Sequence, residues 1–153
     1  MSTTAPAIAY FCSDLDGTLV GEEARTERFA AFWQALPAPR PLLIYNSGRL
    51  VPDQRQLIMT SPLPEPDYLI GGVGTQMERF APAEPVPGWE AELCRDYDAT
   101  EIRRLLADWP GISLQPEAFQ HRYKVSWFLP GASPASRENL RRQLEGAGLR
   151  VAL

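Results

Sequence analysis

Ala7-Ile8-Ala9-Tyr10-Phe11-Cys12, followed by Ser13-Asp14-Leu15-Asp16-Gly17-Thr18, is the stretch that decides how this sequence folds. Its first half is a continuous apolar run of strand length, which suits a parallel strand buried on both faces. Its second half turns polar at once. Asp14 and Asp16 therefore fall at the carboxyl end of that strand, where open α/β sheets bind their ligands.

Outward from this point the chain alternates. Between Glu22 and Leu36 the residues Phe29, Phe32, Trp33 and Leu36 recur at helical spacing, and Pro37 with Pro39 stops the element. Leu42 to Tyr45 reads as a second strand and Pro52 to Met59 as a second helix. Tyr68 to Ile70 reads as a third strand, ahead of Gly71-Gly72-Val73-Gly74. Strand, helix, strand, helix, strand predicts an α/β fold with a parallel sheet.

Ala81 to Gly88 then contains three prolines and reads as a connector, dividing a first module over 1–80 from a second over 81–153. In the second, Asp98 and Glu101 make a capping-box pattern ahead of Ile102, Leu105, Leu106 and Trp109, and Pro110-Gly111 ends that helix. From His121 to Leu129, the residues Tyr123, Val125, Trp127 and Leu129 alternate with Arg122, Lys124 and Ser126, which predicts a half-buried strand. Ser133 and Pro134 open a further helix with Leu140, Leu144 and Ala147 on one face, closed by Gly146 and Gly148 before a last short strand. The second module is α+β, and no repeat or low-complexity tract appears beyond the proline-rich connector.

Composition narrows the function. A chain of 153 residues with 44% hydrophobic content can bury one good core or two small ones. A net charge of −4 with arginines scattered through the predicted helices argues against nucleic acid as a partner. Met1 to Ala9 has no positive residue and no long apolar core, and no later segment reaches transmembrane length. The expectation is a cytoplasmic protein with no membrane partner. Cys12 and Cys94 have no metal-like spacing and read as reduced thiols, and His121, the single histidine, reads as a surface residue.

The chemistry gathers at two strand ends. A carboxylate at Asp14 can attack phosphorus and form an aspartyl phosphate, splitting one hard hydrolysis into two easier displacements. Asp16 can protonate the departing oxygen and later take a proton from water. Two carboxylates meeting an anionic phosphate repel it, so a hard cation is implied: Mg²⁺, held by Asp14 and Asp16 with phosphate oxygens and water. Taken alone, Asp16-Gly17 reads equally as a plain turn. Asn46-Ser47-Gly48-Arg49 changes the balance, because it follows the second strand at the same sheet edge. There the Ser47 hydroxyl can donate to a phosphoryl oxygen and the Gly48 amide can approach one closely.

These residues resemble the haloacid dehalogenase superfamily, whose first motif is aspartate, any residue, aspartate, glycine, threonine and whose second is a serine or threonine after the second strand. Asp14, Asp16 and Ser47 match those positions. Asn46-Ser47-Gly48-Arg49, Pro66-Asp67-Tyr68, Val73-Gly74-Thr75 and Gln120 to Ser126 then follow in the order seen in sucrose-phosphate phosphatases, so the resemblance covers nearly the whole chain. It implies a Rossmannoid parallel sheet with an α+β cap, a small-molecule sugar phosphate as substrate, and Gln115, Gln120 and Lys124 as sugar-facing residues. Lys124 also lies on the polar face of its alternating strand, a pattern that a solvated face explains equally.

That family's later motifs, a lysine and further acids, lie after the cap. Here Lys124 is the only lysine, and Glu138 and Glu145 are the only acids beyond it. The expectations are an incomplete sheet with an open edge, self-association or a complementing chain, and little or no turnover by this chain alone. Two other classes compete: a noncatalytic phosphosugar-binding module, and a phosphoacceptor of response-regulator type. The Asp14 to Thr18 pattern and the large second module argue against the last.

Overall fold

A computed structural model of the chain describes residues 8–93 and 95–149; Ala7, Cys94 and the predicted last strand lie outside them. The chain divides into two compact units, with the break between Asp96 and Tyr97.

The first unit runs β1 (Tyr10–Ser13), α1 (Glu23–Ala35), β2 (Leu42–Asn46), α2 (Val51–Met59), β3 (Tyr68–Gly71), β4 (Gln76–Arg79), β5 (Glu84–Pro85) and a short α3 (Trp89–Leu93). Its sheet has the order β1-β2-β3-β4-β5. The first three strands are parallel, with Phe11 opposite Leu43 and Tyr45 opposite Leu69, and β4 and β5 are antiparallel additions. Three adjacent parallel strands in chain order, joined by right-handed crossovers, put both helices on one face. Burial follows that rule: Leu43, Tyr45 and Leu69 pack with Leu15, Trp33, Val51 and Ile58 into the core. Phe11 joins them by stacking on Phe29 and Trp33 of α1, with centroids 5.9 and 5.8 Å away.

The opposite face of the same strands carries Tyr10, Cys12, Leu42 and Ile44, with Tyr10 65% and Leu42 45% exposed. The burial on both faces expected of the first strand is therefore not found. Among the described residues β1 is the sheet's edge, and no helix of the first unit covers its outer face. The proline-rich stretch over 81–88 also departs from expectation. It folds back on β4 through the pairs Glu78 with Pro85 and Arg79 with Glu84, so it stays in the first unit and the break comes later.

The second unit holds α4 (Ala99–Leu106), β6 (Ser113–Leu114), a 3₁₀ turn (Glu117–Phe119), β7 (Trp127–Phe128) and α5 (Pro134–Gly146). Its core is Leu106, Leu140 and Leu144, flanked by Ile102, Trp109, Ile112, Trp127 and Leu129. Asp98 caps α4 by accepting from the Thr100 and Glu101 amides, while the Glu101 carboxylate pairs with Arg104. The long strand expected over 121–129 is corrected to two residues. His121 and Lys124 exchange both backbone hydrogen bonds across a tight turn at Arg122-Tyr123, so only Trp127 and Phe128 reach β6. Among the described residues no helix is long and apolar enough to cross a membrane.

Candidate active site

Leu15 is fully buried between Asp14 and Asp16, which are both exposed. Anchoring this one side chain in the core turns both neighbouring carboxylates outward from the end of β1. Past them the backbone closes on itself. The Leu15 carbonyl accepts from the amides of Thr18, Leu19 and Val20, and Gly17, at φ +74°, takes the left-handed conformation this turn requires. The Thr18 hydroxyl donates to Asp14 Oδ2 at 3.2 Å, steadying the proposed nucleophile.

The second strand end is built as tightly. Ser47 is buried, its amide donates to the Ile70 carbonyl of β3, and its hydroxyl lies 3.5 Å from Asp16 Oδ2. The loop from 46 to 50 is pinned from below by Gln54, fully buried in α2, whose Nε2 donates to the carbonyls of Arg49 and Ile70. The Gly72 amide donates to the Arg49 carbonyl at 2.8 Å, and Gln76 Oε1 accepts from the Val51 amide at the start of α2. A Cβ at Gly48 would meet nothing within 4 Å.

Arg49 closes the Asn46-Ser47-Gly48-Arg49 stretch. Its guanidinium grips both oxygens of Asp16, Nε at 2.9 and 3.1 Å and Nη2 at 2.8 Å, and its Nη1 reaches Asp53 at 2.8 Å. The signal available in the sequence was the four-residue spacing from Arg49 to Asp53 at a helix start. Hydrogen bonding to Arg49 holds the Asp16 carboxyl below the usual carboxylate range, against a smaller opposing effect of partial burial.

The sugar-facing candidates all lie in the second unit. Gln120 is buried and its amide is spent on the loop around it, donating to the carbonyls of Gln115 and Ser126 and accepting from the Ser126 amide. These bonds tie together the loop that carries it. Gln115 donates to the Trp127 carbonyl and Lys124 Nζ to the Phe119 carbonyl; partial burial lowers the Lys124 ammonium below its ordinary range.

An oxygen-rich, hard donor set at Asp14 and Asp16 fits Mg²⁺, which accepts one or two carboxylates. Among the described residues no group of three or more His, Cys, Asp or Glu gathers, so phosphate oxygens and water would fill the remaining positions.

A parallel sheet that places an aspartate pair and a serine-glycine pair at the carboxyl ends of adjacent strands defines a haloacid dehalogenase-like hydrolase fold. The chain belongs to the Sucrose-6F-phosphate phosphohydrolase family, whose sequence profile matches residues 8–153. It is 41% identical over 138 residues to the mannosylfructose-phosphate phosphatase of Agrobacterium fabrum, covering 90% of this chain and 56% of that protein. It is 31% identical over 153 residues to sucrose-phosphatase 1 of Nicotiana tabacum, covering 97% of this chain and 36% of that one. The structure of the Synechocystis sucrose-phosphatase in complex with sucrose and phosphate matches with a TM-score of 0.82 and 25% identity, over 92% of this chain and 57% of that one. A haloacid dehalogenase-like hydrolase from Bacillus subtilis, at 15% identity and a TM-score of 0.56, shares the fold alone. The chain thus spans between about a third and somewhat over half of the length of these relatives.

Proposed function

We propose that the chain carries phosphomonoester chemistry of the sucrose-phosphate phosphatase kind, acting on a phosphorylated glycoside. The observation that carries this reading is the meeting of Asp16, at the end of β1, with Ser47 and Arg49, at the end of the adjacent parallel β2.

An Asp14 oxygen attacks phosphorus, the bond from phosphorus to the sugar oxygen breaks, and Asp16, in the protonated form that this step requires and that pairing with Arg49 opposes, gives its proton to that oxygen. Asp16, now a carboxylate, takes a proton from a water molecule as the water oxygen attacks phosphorus. The bond from phosphorus to Asp14 then breaks, releasing inorganic phosphate and the Asp14 carboxylate. The Ser47 hydroxyl and the Gly48 amide donate to the phosphoryl oxygens. Asp14 and Asp16 would hold Mg²⁺, which would supply the positive charge that lets an anionic phosphate sit beside the Asp14 carboxylate. The second unit is the cap module of this reading, with Gln115, Gln120 and Lys124 as its sugar-facing candidates.

A second reading is phosphosugar binding without turnover. It is favoured by the sequence, whose single lysine, Lys124, belongs to the second unit. Losing one preorganised cationic donor costs about 10²- to 10³-fold in rate. The test is magnesium-dependent phosphate release from sucrose 6-phosphate and from mannosylfructose phosphate. The expected result is slow release that Asp14→Asn removes; binding of either ester with no release in the folded chain selects the second reading.

A further inference from the structure

The turn that follows β3 holds a residue the reaction scheme leaves unused. Gly72, Val73 and Gly74 take the left-handed backbone conformation in succession, at φ +60°, +62° and +89°. Glycine adopts that region freely, whereas a β-branched side chain there is strained. Val73 is also 73% exposed, so burial in the core does not offset the strain. The surrounding bonds enforce it. The Gly74 amide donates to the Gly71 carbonyl at 3.1 Å, the Thr75 hydroxyl to the Gly72 carbonyl at 2.8 Å, and the Trp89 indole to the Gly74 carbonyl at 2.9 Å. A valine held in an unfavourable conformation and left to solvent does not serve folding. Outliers over-determined in this way cluster where a side chain meets a ligand.

The position of Val73 says which ligand. Its turn is bonded to the loop after β2 by two amides, Gly72 donating to the Arg49 carbonyl at 2.8 Å and Val73 to the Ser47 carbonyl at 3.4 Å. Because β1, β2 and β3 are parallel neighbours, Asp14 with Asp16, Ser47 with Gly48, and Val73 follow three adjacent strand ends along one edge of the sheet. Among the exposed large apolar side chains described in the first unit, Val73 is the one that follows the carboxyl end of a parallel strand. A phosphorylated glycoside offers two things to recognise: an anionic phosphoryl group that takes hydrogen-bond donors, and a ring whose C–H groups take apolar contact. We propose that Val73 is a specificity-determining contact of this site, packing against the C–H face of the sugar while Ser47 and Gly48 hold the phosphoryl group. The inference rests on the phosphomonoester reading above and adds to it the apolar half of substrate recognition.

The experiment is calorimetric titration of the 153-residue chain carrying Asp14→Asn, which keeps the ester intact, with sucrose 6-phosphate and separately with inorganic phosphate, both in Mg²⁺. Adding Val73→Gly should weaken binding of the ester on the order of tenfold, the worth of burying part of a valine side chain. Inorganic phosphate, which lacks the ring, should stay within about twofold. Val73→Leu, which keeps an apolar side chain, should hold ester affinity within about threefold of the parent. Val73→Gly also relieves the backbone, so its thermal unfolding midpoint should rise by roughly 2–4 °C, which separates lost contact from lost structure. Unchanged ester affinity in Val73→Gly, an equal loss toward both ligands, or a loss in Val73→Leu as large as in Val73→Gly overturns the inference alone. A lowered midpoint in Val73→Gly removes the strain from which it starts and overturns it too. An ester that binds neither the parent nor any variant overturns it together with the phosphomonoester reading.

Discussion

At the scale of single residues, the site depends on close approaches that only small side chains permit. Gly71 ends β3 directly beneath the loop that carries Ser47 and Arg49. A Cβ there would lie 2.8 Å from Val51 Cγ2, 2.9 Å from the Val51 nitrogen and 3.0 Å from the Arg49 carbonyl oxygen. Two of those atoms are backbone and cannot swing away. Gly71→Ala should therefore destabilise the first unit by about 1–3 kcal/mol and push the Ser47 loop off its strand end. Gly48→Ala, with open space around the same point, should leave stability nearly unchanged, and denaturant titration of both variants distinguishes local crowding from a general intolerance of alanine. The placement of Asp14, Asp16 and Ser47 just past two strand ends was legible in the sequence because strand ends and motif spacing are local properties. The Arg49 clamp was not legible, because its partner Asp16 is brought to it only by the pairing of β1 with β2. The bonds by which Gln120 ties its own loop were not legible for a related reason: a polar residue in a loop reads alike whether its amide faces a sugar or closes its own turn.

At the scale of elements, reading by pattern succeeded where one feature dominated. The aromatic run of α1 and the apolar cores of β2 and β3 were found within a few residues. The alternation over 121–129 misled, since a tight turn at Arg122-Tyr123 consumes residues that would otherwise extend β7. The cap of α4 gives this scale its prediction. Asp98 accepts from two of the helix's otherwise unpartnered amides, at 2.9 and 3.1 Å, and Glu101 does not reciprocate because it is engaged by Arg104. With only that half of the capping box in place, Asp98→Ala should remove about 1 kcal/mol from the second unit. Glu101→Ala, which breaks only an exposed pair, should cost less. Trp109 and Trp127 flank the second unit's core, so their fluorescence during urea unfolding reports on it, and a cost from Glu101→Ala equal to that of Asp98→Ala would contradict the assignment.

At the scale of the whole molecule, the arrangement of the sheet decides the chain's behaviour in solution. Because β1, β2 and β3 lie in chain order and their crossovers share one face, the face bearing Tyr10 and Leu42 is left to solvent. Beside the same edge strand, Phe11, Phe29, Phe32, Trp33 and Leu36 border an apolar trough of about 380 Å³. An edge strand that is unpaired among the described residues, with apolar surface on both sides, is the feature that soluble proteins ordinarily blunt with charge, and here the strand Tyr10-Phe11-Cys12-Ser13 carries none. The chain should therefore self-associate, with a sedimentation coefficient that rises with concentration across the micromolar range. Tyr10→Lys charges the open sheet face and Phe32→Lys charges the trough, and both replace side chains that are more than half exposed, so neither should disturb the core. Whichever substitution returns the chain to a monomer identifies the surface that associates. A wild-type chain that sediments as a monomer at every concentration would show that solvation of these faces costs less than their apolar area implies, at roughly 25 cal/mol for each Å² left uncovered.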